Sequence, residues 1–159
     1  MRSQYGKLYQ NIATKEFKCF SYNPAGDYYA SVRTITEHGN RQSIFTSSVM
    51  LSLIEHFLLF HNASIVNIEF MEEDEELDTE IKNILSMMKT KGAYWSVLKE
   101  KLAFLSRYDS VDIKRVEMKV TDGAGYLVSM QVNGIVAVTE NAYDTATNEI
   151  VKVLGRVLA

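Results

Sequence analysis

The sequence predicts an α+β fold: a mostly antiparallel sheet with helices packed on it, in the element order α-βββα-β-αα-βββα. Segments in which apolar and polar residues alternate, as in strands, are grouped around glycine turns. Segments whose apolar residues recur with helical spacing separate these groups. This grouping favours antiparallel meanders over a doubly wound parallel sheet. The chain has 159 residues and is 47% hydrophobic, which is enough for one globular domain over residues 1–159.

The first third of the chain is predicted to contain a short helix, three strands and a long helix. Apolar residues with helical spacing indicate the first helix: Tyr5, Leu8, Tyr9 and Ile12. Strands are predicted at 17–23 and 28–35, on either side of the turn NPAGD, and a short strand near 44–45. Thr46 and the two serines after it are candidate N-caps for a helix that runs to about Phe60.

The middle of the chain is predicted to be a strand followed by a helical hairpin. The strand covers residues 63–71, and the hairpin covers about 74–108. Acidic residues at 72–78 and Lys89 complement the dipole of the first hairpin helix, and Gly92 is a candidate for its C-cap. A second helix is expected over about 93–108.

Three strands and a helix are predicted for the C-terminal part of the chain. Turns at 121–125 and at Asn133-Gly134 define a single register, because a two-residue type I′ loop is typical of Asn-Gly. The expected pairs are Val116 with Met130, Met118 with Val128, Met130 with Ala137, and Val128 with Thr139. Leu127, Val136 and Val138 then lie on the face expected to meet solvent. Asn141 is a candidate N-cap for the final helix.

The N-terminal part resembles this βββα plan, which suggests an internal duplication. The two units would cover about 16–61 and 111–159, with the helical hairpin inserted between them. Residues 25–33, AGDYYASVR, correspond to residues 123–131, GAGYLVSMQ, in this comparison.

The sequence contains no motif that indicates a catalytic, cofactor-binding or metal-binding residue. His56 and His61 are five residues apart, whereas ligands on one helix face are usually three or four apart. His38 lies in a glycine turn, and Cys19 has no base in its sequence neighbourhood. The glycines of 121–125 join two strands, whereas a phosphate loop joins a strand to a helix. An enzyme whose residues meet only in space remains open.

Composition and charge restrict the expected partners and location. The net charge of −3 argues against nucleic acid, whose binding depends on basic residues. No apolar stretch approaches the roughly 20 residues of a membrane span, and the N-terminus lacks a signal-peptide core. With a single cysteine, no internal disulfide can form, so we expect a cytoplasmic protein.

These observations predict a non-enzymatic interaction or regulatory protein, of the scaffold or adaptor kind, that forms a homodimer. The very apolar helix at 49–60 and the abundance of Tyr and Met favour contact with a protein. The candidate interface residues are Tyr28, Tyr29, Phe57, Phe60, Trp95, Leu127, Val136 and Val138. The alternatives are a small-ligand sensor and an enzyme with a dispersed site.

Parts of the sequence resemble known families. Residues 20–31, FSYNPAGDYYAS, resemble the strand–turn–strand opening of Roadblock domains, a resemblance that implies a dimeric scaffold. Residues 98–158 are similar in element order to ribosome-hibernation factors, and the ββ-βα units to regulatory domains of isopropylmalate synthase. The three resemblances fit equally well, so the pattern indicates an α+β domain and no particular family.

Overall fold

The computed structural model describes residues 2–90 and 94–158. In chain order its strands are β1 Ser3–Asn11, β2 Phe17–Ser21, β3 Asn40–Gln42, β4 Ala63–Phe70, β5 Ile113–Val120, β6 Tyr126–Gln131 and β7 Ile135–Thr139. Its helices are α1 Tyr28–Thr36, α2 Ser47–Phe60, α3 Glu75–Thr90, α4 Tyr94–Tyr108 and α5 Tyr143–Val157, with a 3₁₀ turn at Glu140–Ala142. The expected α+β class is confirmed.

All the described strands belong to one antiparallel sheet in the order β2-β1-β7-β6-β5-β4. The first half of β1 pairs with β7, and its last residues pair with β3. Helices α2 and α5 contact each other and pack on one face of the sheet, where Met50, Leu53, Ile54 and Ile150 are fully buried. The hairpin of α3 and α4 covers the β4 end of the same core. No helix in the described ranges has both the length and the apolarity needed to cross a membrane.

The first third of the chain differs from the predicted element order in two places. Residues 3–11 form a strand rather than a helix, because β1 lies between β2 and β7 and is buried from Gly6 to Gln10. Burial on both faces removes the alternation that identifies a strand in a sequence. Residues 28–36 form a helix rather than a strand: Asp27 accepts a hydrogen bond from the Ala30 N–H as its N-cap.

The helical state of 28–36 also removes the basis of the duplication. The matched segment in the C-terminal part, residues 126–131, is a strand, so the two units do not share a βββα order. The same helix replaces the second strand of the opening that resembled a Roadblock domain. The predicted short strand at 44–45 lies instead at Asn40–Gln42. The other predicted elements are present, with α2 capped by Thr46, and the expected C-cap at Gly92 lies outside the described residues.

Of the two C-terminal hairpins, β5–β6 has the predicted register and β6–β7 does not. Val116 pairs with Met130 and Met118 with Val128, as predicted. Between β6 and β7, Met130 pairs with Val136 and Val128 with Val138, one residue away from the prediction. In the loop between β6 and β7 only Gly134 has a positive φ, of 81°, and its N–H donates to the Gln131 carbonyl, so the loop has three residues.

This one-residue shift reverses the faces of β7. Val136 and Val138 point into the core and are fully buried, so their assignment to a solvent face is wrong. The expected capping of the last helix by Asn141 is also wrong, since a 3₁₀ turn occupies Glu140–Ala142 and α5 has no side-chain cap.

Candidate functional site

Two histidines and a glutamate meet where α2 and α5 pack together. His56 Nε2 lies 2.7 Å from Glu149 Oε2, and His61 Nε2 lies 3.2 Å from the same oxygen. Glu149 is ionised at neutral pH, so both ring nitrogens act as donors to it. We refer to His56, His61 and Glu149 as the His–Glu cluster.

The end of α2 explains how two histidines five residues apart reach one carboxylate. On a continuous helix their side chains would point about 140° apart around the axis. The helix ends at Phe60, His61 has non-helical backbone angles, and Asn62 has a positive φ of 52°. The His61 ring therefore turns back towards His56, and the two ring centroids are 5.2 Å apart. Helical spacing alone gave no indication of this arrangement.

Two further charged side chains surround the cluster. Asp122, in the loop between β5 and β6, places Oδ2 3.8 Å from His61 Nδ1, and its Oδ1 accepts a hydrogen bond from the Asn62 side chain at 3.4 Å. Lys152 Nζ lies 3.2 Å from Glu149 Oε1, one turn along α5. The cluster thus joins the end of α2, the middle of α5 and the 121–125 loop.

Partial burial and hydrogen bonding have opposite effects on Glu149. Burial alone would raise the pKa of its carboxyl, but the hydrogen bonds from His56, Lys152 and His61 lower the pKa to about 2. Glu149 is therefore a hydrogen-bond acceptor or ligand at neutral pH and a weak base. Burial raises the pKa of nearby Tyr126, and the charges of Glu149 and Asp122 raise it further.

His56 is the most enclosed member of the cluster and is incompletely hydrogen-bonded. Its side chain is 10% exposed, and its Nδ1 is buried without a hydrogen-bond partner among the described residues. Most buried polar atoms in proteins have a hydrogen-bond partner, so the unpartnered Nδ1 of His56 is unusual.

The remaining histidine and the cysteine lie elsewhere. His38 Nδ1 contacts the Thr34 carbonyl at 2.6 Å on the exposed end of α1. Cys19 Sγ lies 3.4 Å from the Tyr143 hydroxyl, and burial raises the pKa of its thiol. A raised pKa leaves the thiol protonated, which fits a small packing residue rather than a nucleophile.

The eight candidate interface residues are not equivalent in the structure. Tyr29, Phe60 and Leu127 are exposed, and Tyr28 and Trp95 are partly buried. The Trp95 indole donates to Glu55 at 3.1 Å. The remaining three are fully buried within the chain and are therefore unavailable to a partner: Phe57, Val136 and Val138.

An exposed apolar face on α4 was not among the sequence-based candidates. Val97, Phe104 and Tyr108 are each about half exposed or more, and the rings of Phe104 and Tyr108 lie 4.9 Å apart. Together with Lys101 they lie on one face of the helix, at positions 97, 101, 104 and 108. The adjacent face of α4 is buried against the core and consists of Leu98, Leu102 and Leu105. We call residues 97, 101, 104 and 108 the outer face of α4.

Lys7 is a second feature that sequence reasoning missed. Its side chain is buried on the sheet face opposite the main core, where Nζ lies 5.7 Å from the Tyr9 ring centroid and 5.6 Å from that of Tyr28. Nζ donates to the Asn133 carbonyl, and burial lowers the pKa of Lys7 to about 8. The incorrect assignment of residues 5–12 to a helix concealed this position.

Comparison with known proteins provides no assignment. No protein-family model matches the chain, and neither a curated protein nor a solved structure gives a significant match.

Proposed function

We propose that this protein acts by protein contact, as a non-enzymatic homodimer whose contact surface is the outer face of α4. The observation that carries the proposal is the line of exposed apolar side chains at positions 97, 104 and 108. An apolar face of this kind on a soluble domain is typical of an interaction site, and exposed aromatic rings are enriched at such sites.

The spacing of the outer face supports a second copy of the chain as the partner. The intervals between positions 97, 101, 104 and 108 are four, three and four residues, which read the same in both directions. Two antiparallel α4 helices related by a two-fold axis would place Val97 against the second copy's Tyr108. The same axis would place Lys101, whose ammonium pairs with Glu80 at 3.2 Å within the chain, beside the second copy's Phe104.

The test is the molar mass in solution, measured by light scattering at micromolar concentration. The wild-type chain should be a dimer, and the double variant Phe104→Glu, Tyr108→Lys should be a folded monomer. Ile12→Glu is the control, because Ile12 is equally exposed but follows β1 at the opposite end of the sheet. A monomeric wild type, or a dimer unaffected by the double variant, would contradict the proposal.

A small-ligand sensor is the second candidate, supported by an apolar cleft between α2, β4, α3 and α4. The cleft has a volume of about 220 Å³ and is lined chiefly by Leu58, Leu59, Ile65, Met88 and Trp95. Pockets for drug-sized ligands are usually about 300–1,000 Å³, so the cleft suits only a smaller molecule and this function ranks second. A ligand screen by thermal shift tests it, since a bound ligand raises the melting temperature and Leu58→Trp should abolish the shift.

A further inference from the structure

We propose that the His–Glu cluster is a binding site for a divalent transition metal ion of the zinc class. Each of its three residues offers one ligand atom, and these atoms all lie within 4.8 Å of one another. In a tetrahedral zinc site with bonds of about 2.0–2.1 Å, the ligand atoms are separated by about 3.3 Å. The separations of 2.7 Å and 3.2 Å from Glu149 therefore need to open by about 0.6 Å and about 0.1 Å to admit an ion.

The chemistry of the ligand atoms selects the class of ion. Two imidazole nitrogens and one carboxylate oxygen form a set that suits zinc and the neighbouring first-row metals, whereas calcium and magnesium prefer oxygen ligands alone. Three protein ligands also leave one position of a tetrahedral ion for water or for an external ligand.

Asp122 provides the outer support that a metal-binding histidine usually has. Ligand histidines commonly donate their second ring nitrogen to a carboxylate, which fixes the tautomer and the ring orientation. Here His61 directs Nε2 towards Glu149 and Nδ1 towards Asp122. When an ion occupies the Nε2 lone pair, the hydrogen moves to Nδ1, where Asp122 is placed to accept it.

The local charge also favours a cation. Glu149 and Asp122 carry two negative charges, and Lys152 is the opposing positive charge within the cluster's contacts. The Lys152 side chain is 71% exposed, so it can move into solvent when an ion takes its place beside Glu149.

The test is calorimetric titration of zinc chloride into the full chain, previously dialysed against a chelator and transferred to phosphate-free buffer. One equivalent should bind, and cobalt(II) in place of zinc should give the visible absorption of a four-coordinate site. Glu149→Gln and His61→Gln should each abolish stoichiometric binding, and Asp122→Asn should weaken it about tenfold or more. His38→Gln is the matched control and should bind as the wild type does, because His38 follows α1 and its ring contacts the Thr34 carbonyl rather than the cluster.

Circular dichroism should first confirm that each variant folds. His61→Gln is the decisive variant, since His61 is more exposed than His56 and its loss is less disruptive to packing. Failure of the wild type to bind zinc would overturn the proposal, as would binding that persists in both Glu149→Gln and His61→Gln. The outcome is independent of the α4 dimer, which the Phe104 and Tyr108 substitutions test separately.

Discussion

Lys7 and Glu149 are both largely buried charged side chains, but their surroundings differ. Glu149 accepts hydrogen bonds from two imidazoles and a lysine, and its pKa lies at about 2 in spite of burial. Lys7 contacts aromatic rings and one carbonyl, and no described carboxylate forms an ion pair with it, so burial lowers its pKa to about 8. The comparison shows that burial without an ionic partner destabilises the charged form of Lys7, whereas hydrogen bonds to Glu149 outweigh the effect of its burial.

The largest expected effect comes from removing the Glu149 carboxylate. Glu149→Ala leaves two partly buried imidazoles without their acceptor, so the free energy of unfolding should fall by about 2–3 kcal/mol. Urea denaturation in the presence of a chelator measures this without a contribution from bound metal. Glu149→Gln is the control: it retains an acceptor oxygen and should lose less than Glu149→Ala. Equal stability of Glu149→Ala and the wild type would show that the hydrogen bonds contribute nothing to the fold.

Replacing Lys7 should have the opposite effect on stability and should raise the free energy of unfolding. Lys7→Met keeps the shape of the aliphatic chain and removes a buried charge that lacks an ion-pair partner, at the expense of one hydrogen bond to Asn133. At pH 7 we expect a gain of about 1 kcal/mol in the free energy of unfolding, also measured with urea. Lys18→Met on the neighbouring strand should change stability by less than about 0.5 kcal/mol, since Lys18 is exposed. A loss of stability in Lys7→Met would show that the Lys7 ammonium stabilises the fold in its buried position.

The gain in stability from Lys7→Met should depend on pH. The folded state holds Lys7 with a pKa of about 8, below the ordinary value of 10.5, so the unfolded chain binds more protons between these values. Stability of the wild type should therefore rise, relative to Lys7→Met, as the pH increases from about 8 towards 10.5. Paired urea curves across this range should show the advantage of Lys7→Met shrinking. If the stability advantage of Lys7→Met stays constant across this range, folding does not change the pKa of Lys7.

The smallest expected effect is at the edge of the His–Glu cluster. Asp122 is about half exposed and lies 3.8 Å from His61, so solvent screens the interaction. Without metal, Asp122→Asn should lower the free energy of unfolding by about 0.5 kcal/mol or less. A loss comparable to that of Glu149→Ala would mean that Asp122 belongs to the inner cluster rather than to its support.

Sequence patterns were most informative where one face of an element is buried and the other is exposed to solvent. The β5–β6 register followed from Val116, Met118 and Val128 because their alternation reports which face is buried. The same logic failed for β1, which is buried on both faces. The helix at 28–36 was detectable in principle, since Asp27 is a good N-cap residue, but its Tyr-Tyr start and β-branched residues favoured a strand.

The β6–β7 loop shows why a turn motif does not by itself determine a register. Asn133-Gly134 is typical of a two-residue loop, yet only Gly134 has a positive φ. Contacts from the first part of the chain hold the loop in its three-residue form: Leu8 N–H donates to the Gly134 carbonyl, and Phe45 N–H to the Val132 carbonyl. Partners more than 80 residues away therefore determine which face of β7 is buried.

The α+β class, helices α2 to α5 and the β5–β6 hairpin could be predicted from the sequence, because periodicity and turn chemistry are local properties. Which ionisable side chains meet depends on the packing of distant segments. His56 and His61 lie 93 and 88 positions from Glu149, and Lys7 lies 126 positions from Asn133. Such contacts arise from the packing of α2 on α5 and of β1 beside β7, and no local pattern records them.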